Sequence, residues 1–120
     1  CKDKSVKELA EQSFQVQINS AIADSTGLCL FGRTVTDTHH ELIIDAINDA
    51  HNTELDYDFL KRIAVETLKM EHLFNKAAGF TDEDDELPAF FRDEALPPTN
   101  RAARLNSAEI NQYRNEWLGL

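Results

Sequence analysis

The sequence predicts an all-α fold, an irregular bundle of about four helices with long loops. Three observations carry this. Apolar residues recur at spacings of three and four along most of the chain, the period of a helix face. Strand-like alternation of apolar and polar residues is nearly absent. Helix start and stop residues stand where the periodic stretches begin and end.

The first helix is expected from about Ser5 to Ala23, with Val6, Leu9, Ala10, Phe14, Ile18, Ala21 and Ile22 on its apolar face. Thr38 and Glu41 fit a capping box, and Leu42, Ile43, Ala46, Ile47 and Ala50 follow as the buried stripe of a second helix. Asp56 is a good N-cap for a third, which carries Phe59, Leu60, Ile63, Ala64, Leu68, Met70, Leu73, Phe74 and Ala77. Gly79 suits the residue after that helix, with Phe80 placed to fold back as the hydrophobic contact of the cap. Asn106 and Glu109 are spaced to cap a last helix reaching Leu118. Between these, Leu28 to Thr36 predicts irregular packing or a brief helical turn. Leu87 to Arg104, with Pro88, Pro97 and Pro98, predicts extended chain. A length of 120 residues predicts a single helical domain over 1–120.

Composition excludes several classes of function. Apolar content of 42% and charge of 28% are those of an ordinary globular chain, not a disordered one. A net charge of −10 repels phosphate backbones and anionic lipid, so neither a nucleic acid nor a membrane is an expected partner. No apolar run approaches the ~20 residues of a membrane helix, and no signal-peptide pattern is visible. Cys1 and Cys29 form no CxxC pair, and a cytoplasmic setting is expected. The opening Cys1-Lys2-Asp3-Lys4 lacks an initiator methionine, so a processed or excised piece is expected.

Most constellations carry no chemistry. His39 and His40 are adjacent and point to different faces of a helix. Neither His51 nor His72 has a ligand-type residue four positions away. The acidic run Asp82-Glu83-Asp84-Asp85-Glu86 lacks the glycine of a calcium loop, since Leu87 stands there, and reads as solvated charge at a helix start. No nucleophile elbow and no phosphate-cradling glycine loop is present.

What remains is Asp24-Ser25-Thr26-Gly27-Leu28-Cys29, at the end of the first helix. A carboxylate there faces the negative end of the helix dipole. The residues alone leave two readings open. Asp24 is a turn residue and Cys29 a buried small hydrophobe, or the carboxylate is aimed at a ligand with a thiolate metal ligand beside it.

The string Ala23-Asp24-Ser25-Thr26-Gly27-Leu28-Cys29-Leu30-Phe31 resembles the DxxGLCxF motif of the tungsten-containing aldehyde ferredoxin oxidoreductases. Glu71-His72-Leu73-Phe74-Asn75-Lys76-Ala77-Ala78-Gly79-Phe80 resembles a helix end of the same family. Asp84-Asp85-Glu86-Leu87-Pro88, with Arg92 behind it, resembles the family's D-D-x-L-P. The motifs occur in the family's order, at about its separation, over roughly residues 15 to 92. Glu66 and His72 stand where arginines are expected.

The resemblance implies the helical C-terminal domain of a larger oxidoreductase that oxidises aldehydes to carboxylic acids and passes electrons to ferredoxin. It implies a tungsten-bis-pterin and a 4Fe-4S cluster in the complete enzyme. Asp24 becomes a pterin contact, Gly27 and Leu28 belong to the same contacting turn, and Cys29 becomes a cluster thiolate. The CxxCxxxC segment that supplies the family's other thiolates is absent from this sequence, as is the second DxxGL motif. The expected partner is therefore the remainder of the parent enzyme, and the isolated chain is expected to bind no cofactor and to be inactive. The alternative is a freestanding acidic helical interaction module, or a separate subunit of a related tungstopterin enzyme.

Overall fold

Helical periodicity becomes helical structure throughout the computed structural model, which describes residues 4–32, 34 and 37–120. Five α-helices are present among the described residues: α1 Val6–Ser25, α2 His40–His51, α3 Tyr57–Ala77, α4 Phe90–Asp93 and α5 Ser107–Leu118. They contain no strand; one isolated antiparallel bridge joins Leu96 and Arg101. The all-α expectation holds, with the four-residue α4 and this bridge lying in the stretch expected to be extended.

Three of the helix starts are capped by a nearby side chain. Ser5 and Glu8 form a reciprocal capping box: the Ser5 amide donates to Glu8 Oε2 at 2.7 Å, and the Glu8 amide to Ser5 Oγ at 3.2 Å. Asp56 Oδ1 accepts from the Phe59 amide at 3.2 Å, and Asn106 Oδ1 from the Glu109 amide at 2.9 Å, as expected. The capping box at Thr38 does not form. The helix starts later, with His39 as N-cap and no side-chain cap bond. Thr38 Oγ1 donates instead to the Thr34 carbonyl, and Glu41 binds His39 Nδ1 at 2.8 Å.

The chain divides into two compact units, residues 13–73 in one and residues 1–12 with 74–120 in the other. The first has a continuous apolar core of Ile18, Ala21 and Ile22 from α1, Ile44 from α2, and Leu60 and Ala64 from α3, with Phe14, Ile43, Ile47, Phe59 and Leu68 packed against it. The α1 face is the expected one. On α2 the buried stripe is displaced: Ile44 is buried, while Leu42, Ala46 and Ala50 are exposed. The run Leu42-Ile43-Ile44 suits either side of the helix, and packing on α1 and α3 selects Ile44. Asn48 organises the loop from α2 to α3. Its Oδ1 accepts from the Leu55 amide and the Thr53 hydroxyl, both at 2.8 Å, while its Nδ2 donates to the Leu55 carbonyl at 2.9 Å.

On α3 the apolar stripe is buried only in its first half. Leu60 and Ala64 are buried, whereas Met70, Leu73 and Phe74 are exposed. The helix ends at Gly79, φ +99°, with the Phe80 amide donating to the Asn75 carbonyl and the Gly79 amide to the Lys76 carbonyl, both at 3.1 Å. That paired pattern is the expected cap, although Phe80 itself stays exposed.

In the second unit the acidic run is not a helix start. It is a series of turns in which four of the five carboxylates are engaged. Asp84 Oδ2 accepts from the Thr81 amide at 2.7 Å and hydroxyl at 2.9 Å. Arg114 of α5 reaches Asp85 at 2.7 Å and Asp82 at 3.1 Å. Glu86 pairs with Arg92 and accepts from the Ser107 amide at 2.8 Å, at the first turn of α5, where a negative charge complements the helix dipole.

Candidate functional site

The site begins with the anchoring of the α1 C-terminus. Ala21, Ile22 and Ala23 are all buried, so the last turn of the helix cannot rotate without opening the core. Beyond it the backbone closes in a paired cap. The Leu28 amide donates to the Ala23 carbonyl at 2.8 Å and the Gly27 amide to the Asp24 carbonyl at 3.3 Å. Thr26 adds to this, its hydroxyl donating to the Ile22 carbonyl at 2.7 Å and its amide to the same oxygen at 3.0 Å. Gly27 has φ +70°, and a Cβ built there meets nothing within 4 Å. The glycine is therefore required by backbone conformation rather than by space.

From this cap the chain continues into a 3-10 turn, Leu30–Gly32, in which the Gly32 amide donates to the Cys29 carbonyl at 2.8 Å. The brief helical turn expected between Leu28 and Thr36 is present here; Val35 and Thr36 lie outside the described residues. Leu28 is half-buried, fixing the turn.

Two functional groups leave this rigid frame. The Asp24 side chain, in the last turn of α1, is exposed and has no hydrogen-bond or ion-pair partner among the described residues. Cys29 is a free, exposed thiol. It is not the buried small hydrophobe that was one of the two readings of its sequence. Phe31 beside it is 98% exposed. An acceptor-only carboxylate at the negative end of a helix, with nothing bound to it, does no structural work for the turn. Backbone and Thr26 bonds hold the turn without it.

The remaining candidates are placed less suggestively. His39 is tied to Glu41, and the His40 ring packs on Tyr57 with centroids 4.6 Å apart. Among the described residues no three His, Cys, Asp or Glu side chains are grouped as a metal site. Cys29 is the one thiol among the described residues, and a cluster held by four thiolates would need its other ligands from elsewhere. Cys1 lies outside the described residues. Of the second stretch read from the sequence, Glu71 and Phe74 are exposed on α3, and Glu86 and Arg92 form an ion pair.

Sequence reading missed the engagement of the acidic run. Arg114 sits far along the chain from Asp82 and Asp85, and no local periodicity links them. An arginine on the half-buried side of a polar helix was the one available signal.

Among known families, the one described as aldehyde ferredoxin oxidoreductase, domains 2 and 3, matches residues 2–118. No curated protein and no solved structure matches the chain. No helix among the described residues is long and apolar enough to cross a membrane.

Proposed function

Because the chain belongs to the aldehyde ferredoxin oxidoreductase family, as part of an oxidoreductase, we propose that its α1 turn holds two cofactors of the complete enzyme. Asp24 is the pterin contact, Gly27 and Leu28 complete the contacting turn, and Cys29 is one thiolate of a 4Fe-4S cluster. The observation that carries this is the pairing of a free carboxylate and a free thiol on one rigid, core-anchored turn.

The residues fit these groups chemically. The Asp24 carboxylate offers only acceptors, matching the adjacent N–H donors on a pterin's aminopyrimidine edge. Gly27 leaves open space above the backbone, so a flat ring can approach closely. An exposed thiol at Cys29 is available to be deprotonated by iron, and the short chain from Asp24 to Cys29 sets the two groups side by side. Phe31 supports the reading further. A phenylalanine almost fully in water is poorly placed unless something covers it, as the rest of the enzyme would.

The bound tungsten-bis-pterin would accept the electrons of aldehyde oxidation, and the cluster would pass them towards ferredoxin. This chain's own contribution is to bind and orient. The buried helix end holds Asp24 at a fixed height, and the paired cap holds Cys29 at a fixed distance from it. No residue here is assigned to substrate chemistry.

The test is made in the complete enzyme. Cys29→Ala is expected to lose cluster iron, with Cys1→Ala unchanged. Asp24→Asn, which replaces an acceptor oxygen with a donor, is expected to release pterin more readily on gel filtration. Full iron content in Cys29→Ala, measured by metal analysis, would refute the ligand assignment. Equal pterin retention in Asp24→Asn would refute the pterin contact.

A further inference from the structure

Of the side chains from Asp24 to Cys29, Thr26 is the one that hydrogen-bonds within the chain among the described residues. Its hydroxyl proton goes to the Ile22 carbonyl at 2.7 Å and is shared with the Ala23 carbonyl at 3.3 Å. Each of these oxygens also holds a backbone amide, Ile22 that of Thr26 at 3.0 Å and Ala23 that of Leu28 at 2.8 Å. Ile22 and Ala23 are 1% and 2% exposed, so both acceptors belong to the fixed end of α1. One hydroxyl therefore meets both carbonyls on which the turn hangs, and the second of them holds the residue directly before Cys29.

The same bonds explain why Asp24 stands free. A turn aspartate ordinarily accepts from an amide two or three positions on. Here those amides are committed elsewhere, that of Thr26 to Ile22 and that of Gly27 to the Asp24 main-chain carbonyl at 3.3 Å. The Thr26 hydroxyl is a further donor two residues from the carboxylate, and it is turned back onto the helix instead. The last carbonyls of a helix lack intrahelical partners, so a hydroxyl is well used there.

We infer that Thr26 is the positioning residue of the cofactor turn. Its hydroxyl fixes the backbone that carries Asp24 and Cys29, and by bonding to α1 it leaves the Asp24 carboxylate available to an N–H ligand. The inference rests on the assignment of Asp24 and Cys29 to pterin and cluster, and adds the group that sets their placement. Thr26 itself touches neither cofactor. Its hydroxyl is the necessary part: valine has the same shape without the donor, and serine keeps the donor without the methyl.

The test uses the complete enzyme. Thr26→Val is expected to release pterin about fivefold faster on gel filtration, the factor that one ordinary hydrogen bond supplies. Hydrogen exchange of the peptide spanning residues 24–29, followed by mass spectrometry, is expected to quicken, and the electron paramagnetic resonance signal of the reduced cluster to change. Thr26→Ser is expected to behave as wild type in all three. Leu60→Ala, a core substitution away from the turn, controls for general loss of stability and is expected to keep its pterin. Wild-type behaviour of Thr26→Val, failure of serine to rescue, or equal pterin loss in Leu60→Ala would each overturn the inference. Asp24→Asn and Cys29→Ala are measured alongside. Cofactor loss in those two with none in Thr26→Val overturns the role of Thr26 alone, whereas full cofactor in both overturns the assignment beneath it.

Discussion

Leu60 and Met70 lie on the same helix and separate burial from helix formation. Leu60 is 1% exposed, in one core cluster with Ile18, Ala21, Ile22, Ile44 and Ala64, whereas Met70 is 62% exposed. Leu60→Ala removes three buried carbons, about 2.4 kcal/mol at ~0.8 kcal/mol per methylene. Incomplete collapse of the space left behind adds about 1 kcal/mol. The total, roughly 3 kcal/mol, corresponds to a fall in Tm of about 12 °C at ~4 °C per kcal/mol for a chain of this size. Met70→Ala keeps a good helix former and removes little buried surface, so its effect stays within about 0.5 kcal/mol. Urea unfolding followed by far-UV circular dichroism measures both, with an unchanged m-value as the check on a common unfolded state. A loss below about 1 kcal/mol in Leu60→Ala, or equal losses in the two variants, would refute the division of α3 into a buried and an open half.

Two further outcomes follow from local geometry. Glu86 is held below the usual carboxylate range by hydrogen bonds from Ser107, with Arg92 adding to the effect. A lowered folded-state value means its contribution is fully present above the ordinary glutamate range and is lost as pH falls through the lowered value. The urea midpoint of the wild type should therefore decline with acidification below the ordinary glutamate range more steeply than that of Glu86→Gln, and parallel curves would contradict it. Gly79→Ala places a side chain at φ +99° and is expected to cost about 1–2 kcal/mol with no steric clash. An unchanged unfolding midpoint in that variant would show that the cap does not hold its left-handed residue.

The legible parts of the fold are those with local causes. The face of α1 and the caps at Asp56, Gly79 and Asn106 each depend on residues within one or two turns. The candidate site was legible for the same reason: Asp24, Gly27 and Cys29 sit together in the chain, and the backbone bonds that order them span only a few residues. Thr38 was misread because its hydroxyl had a competing local acceptor, the Thr34 carbonyl. Ile44 was missed because three consecutive apolar residues fit two helix faces equally well. The exposed end of α3 was unreadable in principle: periodicity reports that a face is apolar, not that anything covers it.

By itself the sequence determined an all-α chain, where most of its helices begin and end, and a turn that carries a carboxylate and a thiol with the family's motif around them. Those properties follow from short-range hydrogen bonding and the helical period. Only the tertiary structure decided that the carboxylate and thiol stand free on a core-anchored frame. It also decided that the acidic run grips Arg114 and the start of α5, and that Asn111 is buried with an unsatisfied donor. Each of these turns on which distant groups meet and which meet nothing, and desolvation and ion pairing act on that arrangement rather than on order along the chain.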